Sequence, residues 1–166
     1  DIISKSTMGW LWSVFCNPRT GEILGADIML EWSYVTNRIV ADNLYNDNSL
    51  EDKNCCTAAH FQQVENSLGI NYIKNMNLGE EMEEELVKQS LYRLVLHEVG
   101  HTIGLNHNFK ASALLTTDEL NNKEIVDEKG VTSSVMDYPA ININKNPENQ
   151  ALFFDVKQGF YDVWAI

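Results

Sequence analysis

The chain has 166 residues, 44% of them apolar, and a formal net charge of -12. That length fits one ordinary domain, and that composition excludes a largely disordered chain. The 12 lysines and arginines are scattered, which excludes nucleic acid as a partner, and no apolar run approaches the roughly 20 residues of a transmembrane segment. The opening "DIISKSTMGW" lacks a methionine start, a basic flank and an apolar stretch. It reads as a cut boundary rather than a signal peptide.

In chain order, "WLWSVFCN" (10–17), "PRTG" (18–21) and "EILGADIMLEW" (22–32) predict a β-hairpin around a turn rich in proline and glycine. Gly25 is expected at a bulge or a close backbone approach. Apolar positions 35, 39, 40 and 44 predict a helix over 33–45. A polar loop follows at 46–56, then a short helix capped by Thr57 and ending near residue 66. Residues 69–79 read as turn or loop. The clearest helix covers about 80–104. Glu80, Glu81, Glu83, Glu84 and Glu85 crowd its start, where negative charge suits the helix dipole, and Leu86, Val87, Leu91, Leu94, Val95 and Val99 recur at helical spacing. Residues 116–122 predict a short helix capped by Thr117, residues 130–150 a loop, and residues 153–166 a closing amphipathic helix. No repeat or linker divides the chain. Cys16, Cys55 and Cys56 make no disulfide framework and no C-x-x-C pair. A bridge from Cys16 to either neighbour and three free thiols both remain open.

Three of the four histidines fall within "LHEVGHTIGLNHN" (96–108). On a helix, His97 and His101 lie on one face, about 6 Å apart at Cβ, and can clamp one metal ion. Glu98 sits where its carboxylate reaches a water on that ion, which makes it the candidate general base. His107 is the candidate third ligand. A continuous helix would carry it away by about 9 Å, so the chain must turn back, and Gly104 can adopt the left-handed conformation that ends a helix. Gly100 inside the helix points to close packing of another segment. Three imidazoles and no fourth histidine or cysteine nearby suit a catalytic zinc ion (Zn2+) with one open position. His60 stands outside the pattern and reads as structural or surface.

The full H-E-x-x-H-x-x-G-x-x-H string is the metzincin signature. "SSVMDYPA" (133–140) resembles that clan's methionine turn, which places Met136 beneath the zinc as an apolar floor. In related metzincins a tyrosine at the offset of Tyr138 approaches the zinc and stabilises the oxyanion. Together "NPRTGEILGADI", "HEVGHTIGLNHNFKAS", "SSVMDY" and "YDVWAI" resemble the met-zincin catalytic domain of large bacterial zinc-dependent metalloproteases. The resemblance implies an α+β zincin fold: an edge hairpin and active-site helix in an upper subdomain (1–104), and a loop-rich lower subdomain (105–166) with the methionine turn and a closing helix. It also implies an exported, extracytoplasmic bacterial protein and a longer parent polypeptide. Only the hairpin and one candidate helix precede the insertion-like stretch 46–79, fewer elements than metzincins usually carry there.

The function expected is zinc-dependent hydrolysis of peptide bonds in a protein or peptide substrate. That substrate would lie extended and pair with the edge strand at Ile23, Leu24, Gly25, Ala26 and Asp27. The alternatives are a non-catalytic module in which zinc only staples the fold, and a zinc-binding fragment that cleaves nothing.

Overall fold

A computed structural model describes residues 12–28 and 58–166. The helix expected over 33–45, the loop 46–56 with Cys55 and Cys56, and the cap at Thr57 lie outside the described residues.

Strand β1 (Trp12–Cys16) pairs antiparallel with β2 (Ile23–Ile28). The hairpin closes because Gly21 donates to the Asn17 carbonyl at 2.8 Å and the Asn17 side chain accepts from Arg19 N–H at 3.0 Å. Phe15 opposes Gly25 while Cys16 opposes Ile23, so Leu24 is the extra residue of a bulge directly beside Gly25. Cys16 carries a free, exposed thiol.

Helix α1 spans Ala58–Asn75, past the end expected near residue 66, so the turn assigned to 69–79 is corrected. Gly69 is helical. A Cβ there would collide with the side chains of Leu86 and Ile141, so this glycine marks close packing and not a turn. The reversal comes later, at Asn77 (φ 53°) and Gly79 (φ 93°). Helix α2 then runs Glu80–Thr102. It packs against α1, with Lys74 paired to Glu83 at 3.6 Å, and both strands of the hairpin touch it.

The remainder is loop-rich. A 3-10 turn (Ala111–Ala113) precedes α3 (Thr117–Leu120), whose cap is Thr116 and not the expected Thr117. Thr116 Oγ1 accepts from Glu119 N–H while the Glu119 carboxylate accepts from Thr116 N–H at 2.9 Å, a reciprocal capping box. Helix α4 (Lys123–Lys129) falls outside the sequence reading. Asn122 caps it by accepting from Glu124 N–H at 3.0 Å. After a second 3-10 turn (Pro147–Asn149) the chain ends in α5 (Phe160–Ala165). The closing helix expected from 153 is thus shorter. The N–H groups of Phe153 and Phe154 are taken by Gln89 Oε1 of α2, at 2.7 and 3.2 Å, which holds this stretch out of helical geometry.

Among the described residues, two apolar clusters hold this α+β domain. Ile73, Leu86, Ile141, Phe153 and Phe154 join α1 and α2 to the C-terminal half, and Leu115, Val126, Val131 and Ala151 fill the loop-rich half. Among the described residues no helix is long and apolar enough to cross a membrane.

Candidate metal centre

Of the six apolar residues that mark a face of α2, only Leu86 and Leu94 are buried. Leu86, Gln89, Ser90, Arg93, Leu94, His97, Glu98 and Gly100 are buried, whereas Val87, Leu91 and Val95 are half-buried and Val99 is exposed. A helix that turns polar side chains inward must give them partners, because a buried polar group without one costs about 1–3 kcal/mol. Gln89 meets the backbone of Phe153 and Phe154 and Ser90 meets Asn66, whereas the partners of Arg93 and His97 come from the loop 131–138. His97 Nδ1 lies 2.7 Å from the Val135 carbonyl oxygen. The Arg93 guanidinium donates to that same carbonyl and to the carbonyl of Asp137.

The loop is held from its other side by carboxylates. Asp155 accepts from Val131 N–H at 2.6 Å and Thr132 N–H at 3.1 Å. Asp162 accepts from Val135 N–H at 2.8 Å, Gly159 N–H at 2.8 Å and Ser134 Oγ. Asp137, within the loop, accepts from Ser112 N–H at 2.6 Å and ties the loop to the 3-10 turn. Burial pushes the Arg93 guanidinium below its usual range, opposed by the charges of Asp155, Asp137 and Asp162. Burial also raises the Asp155 carboxyl above the usual carboxylate range, against the hydrogen bonds it accepts and the charge of Arg93.

Helix α2 ends in a Schellman turn. Leu105 N–H bonds the Gly100 carbonyl at 2.9 Å, Gly104 N–H bonds the His101 carbonyl at 3.0 Å, and Gly104 sits at φ 93°. The turn sends His107 back across the end of the helix. It also offers the Leu105 carbonyl to His101 Nδ1 at 3.1 Å. A carbonyl only accepts, so His97 and His101 both carry their proton on Nδ1 and turn the lone pair of Nε2 to the common space.

The ligand atoms of His97, His101 and His107 lie within 4.8 Å of one another. Nε2 of His101 is 3.1 Å from Nε2 of His107. Two nitrogens bound to one tetrahedral zinc stand roughly 3.3 Å apart, so the His101–His107 pair fits that ion in spacing, and His97 and His101 fit it in tautomer. Burial, and then the charge of Arg93, push His97 down to about 3, and burial followed by His101 lowers His107. Neutral imidazoles are the form that binds metal.

Glu98 is wholly buried beside His97. The Tyr138 hydroxyl lies 3.0 Å from His107 Nε2. Met136 is buried under α2, and its sulfur occupies the space that a Cβ on Gly100 would need, which accounts for that glycine inside a helix. Asn108 N–H reaches the Met136 carbonyl at 2.9 Å and ties the histidine turn to the loop. Strand β2 exposes Ile23, Leu24, Ala26 and Asp27, and its edge away from β1 has no partner strand among the described residues. His60 lies in the first turn of α1, away in sequence from the cluster.

Sequence reasoning did not single out Arg93, Asp137, Asp155, Asp162, Phe61 or Phe109. A signal existed for Arg93: it stands one helical turn before His97, on the face that carries the ligands.

A family model described as Met-zincin matches residues 79–166. No curated protein and no solved structure matches the chain.

Proposed function

This chain belongs to the Met-zincin family, and from that premise we propose that it is a zinc-dependent endopeptidase with His97, His101 and His107 as metal ligands and Glu98 as general base. One observation carries the reading: three imidazole nitrogens within 4.8 Å, two of them with their tautomer set by a backbone carbonyl. When bound, zinc supplies Lewis acidity that polarises the scissile carbonyl and lowers the pKa of water. Glu98 takes the proton of the attacking water and passes it to the departing amine. Tyr138 donates its phenol hydrogen to the negative charge that grows on the carbonyl oxygen, a role supported by its position against His107. Met136 and the loop 133–140 form the methionine turn, an apolar floor to the imidazoles. Gly104 is the turn residue that returns His107.

The substrate is a polypeptide, bound extended along the β2 edge at Ile23, Leu24, Gly25, Ala26 and Asp27. On the same reading residues 1–104 are the upper and 105–166 the lower subdomain. The parent is a longer, exported bacterial protein working outside the cytoplasm. These last points rest on the family resemblance.

The test is a peptide library and casein, assayed with the chain at one equivalent of zinc by elemental analysis. Cleavage should be abolished by a chelator and by Glu98→Ala, and the variant should keep its zinc. Undiminished cleavage by that variant would remove Glu98 from the role of base. Full zinc occupancy with no turnover would leave only the stapled or inactive readings.

A further inference from the structure

Two large aromatic side chains stand exposed beside the histidine cluster. Phe109 is 62% exposed although its ring centroid lies 5.5 Å from that of His107 and 5.3 Å from that of Tyr138. Phe61, on α1, is 40% exposed and stacks on Tyr138 at 6.2 Å and 26° between planes. Tyr138 itself meets His107 at 4.9 Å and 64°. Three separate segments therefore bring Phe61, Tyr138 and Phe109 into one row of rings along the imidazoles. A narrow cleft between Phe61 and Tyr138 reaches Leu94 and His97.

Rings that served only to support the site would be covered by it. Phe61 and Phe109 instead stay exposed next to the reacting centre while Tyr138 is half-buried between them, and exposed ring surface loses water when an apolar group covers it. We infer that Phe61, Tyr138 and Phe109 form a subsite for a bulky apolar or aromatic side chain next to the scissile bond, so that the substrates are polypeptides with such a residue at the cleavage point. The inference rests on the endopeptidase reading and adds to it the identity of the side chain recognised. Phe61 lies outside residues 79–166, so the selectivity is partly written in a segment the family match does not reach.

The experiment uses the zinc-loaded chain and peptides identical except at the residues flanking the cleaved bond, which carry Phe, Leu, Ala or Asp. Turnover as kcat/KM should favour Phe and Leu over Ala by about tenfold or more, the usual scale for filling an apolar subsite. Phe109→Ala and Phe61→Ala should each shrink that ratio several-fold, mainly by raising KM for the Phe peptide, and Phe109→Leu should restore part of it. Affinity for the same peptides is measured in the Glu98→Ala background by calorimetry, so a readout remains that needs no catalysis. The Phe-over-Ala affinity ratio should fall in Glu98→Ala/Phe109→Ala. Equal affinity for all four peptides, or a ratio untouched by both phenylalanine changes, overturns the subsite. A preserved affinity ratio with no turnover in the native chain keeps the subsite and overturns the endopeptidase reading instead.

Discussion

The Val135 carbonyl accepts from both Arg93 and His97, so one oxygen couples the orientation of a metal-type imidazole to a buried cation. Removing the guanidinium strands the Asp137 carbonyl and leaves the surrounding acids without their counter-charge. Arg93→Ala is therefore expected to destabilise the fold by about 3–5 kcal/mol, the usual effect of breaking one side of a buried charge network. The urea midpoint with metal absent measures it. Arg93→Lys should recover part of the loss, because an ammonium keeps the charge but cannot fork to two carbonyls. At this scale the histidines were legible because the residue is scarce and its spacing is specific. Arg93 was passed over, since periodicity treats arginine as a surface residue; its place one turn before His97 was the available signal, and its buried partners on another segment give that signal its meaning. Phe109 likewise reads as any loop aromatic until Tyr138 is seen beside it.

Among the elements, α2 was legible from its acidic start and 3.6-residue spacing, but its buried face was not. Most of the side chains that turn inward are polar, and the hydrogen bonds of Arg93 and His97 come from a loop more than thirty positions along the chain. Helix α1 was cut short in the sequence reading, which took 69–79 as turn or loop, whereas Gly69 lies within the helix where long-range packing against Leu86 and Ile141 selects it. The closing helix was overextended for the converse reason: Gln89 claims the backbone donors of Phe153 and Phe154. The α2–loop contact gives an element-scale test. Gly100→Ala gains about 1 kcal/mol of helix propensity but drives a methyl into the Met136 side chain, an overpacking of about 1–3 kcal/mol. Net destabilisation is expected, and Gly100→Ala/Met136→Ala should be milder than the sum of the single changes by about 1 kcal/mol or more in a double-mutant cycle. A second test concerns α3. The hydrogen bonds from Thr116, backbone first and hydroxyl next, hold the Glu119 carboxyl below the usual carboxylate range. A depressed folded value means that its support is complete above the ordinary carboxylate range and fades as pH falls through the folded value. Thr116→Ala should move Glu119 back toward the ordinary range in an NMR titration and weaken that pH dependence.

For the whole molecule, a cation held by His97, His101 and His107 would fasten the end of α2 to the turn that follows it. Ligand that binds only the folded state adds stability by mass action, about 2.7 kcal/mol at one hundred times Kd. The melting temperature should climb with zinc concentration and drop on chelation, and His107→Ala should erase most of that response in a thermal scan. The same architecture has a chemical vulnerability. The thioether of Met136 fills the notch left by Gly100 so fully that there is no room for even a methyl group. Conversion to a sulfoxide would place a polar oxygen in that notch, wedge α2 away from the loop and pull the Val135 carbonyl from His97. Peroxide should spare Met136 in the folded protein while it stays sealed at 1% exposure, then oxidise it abruptly once breathing of α2 admits the oxidant.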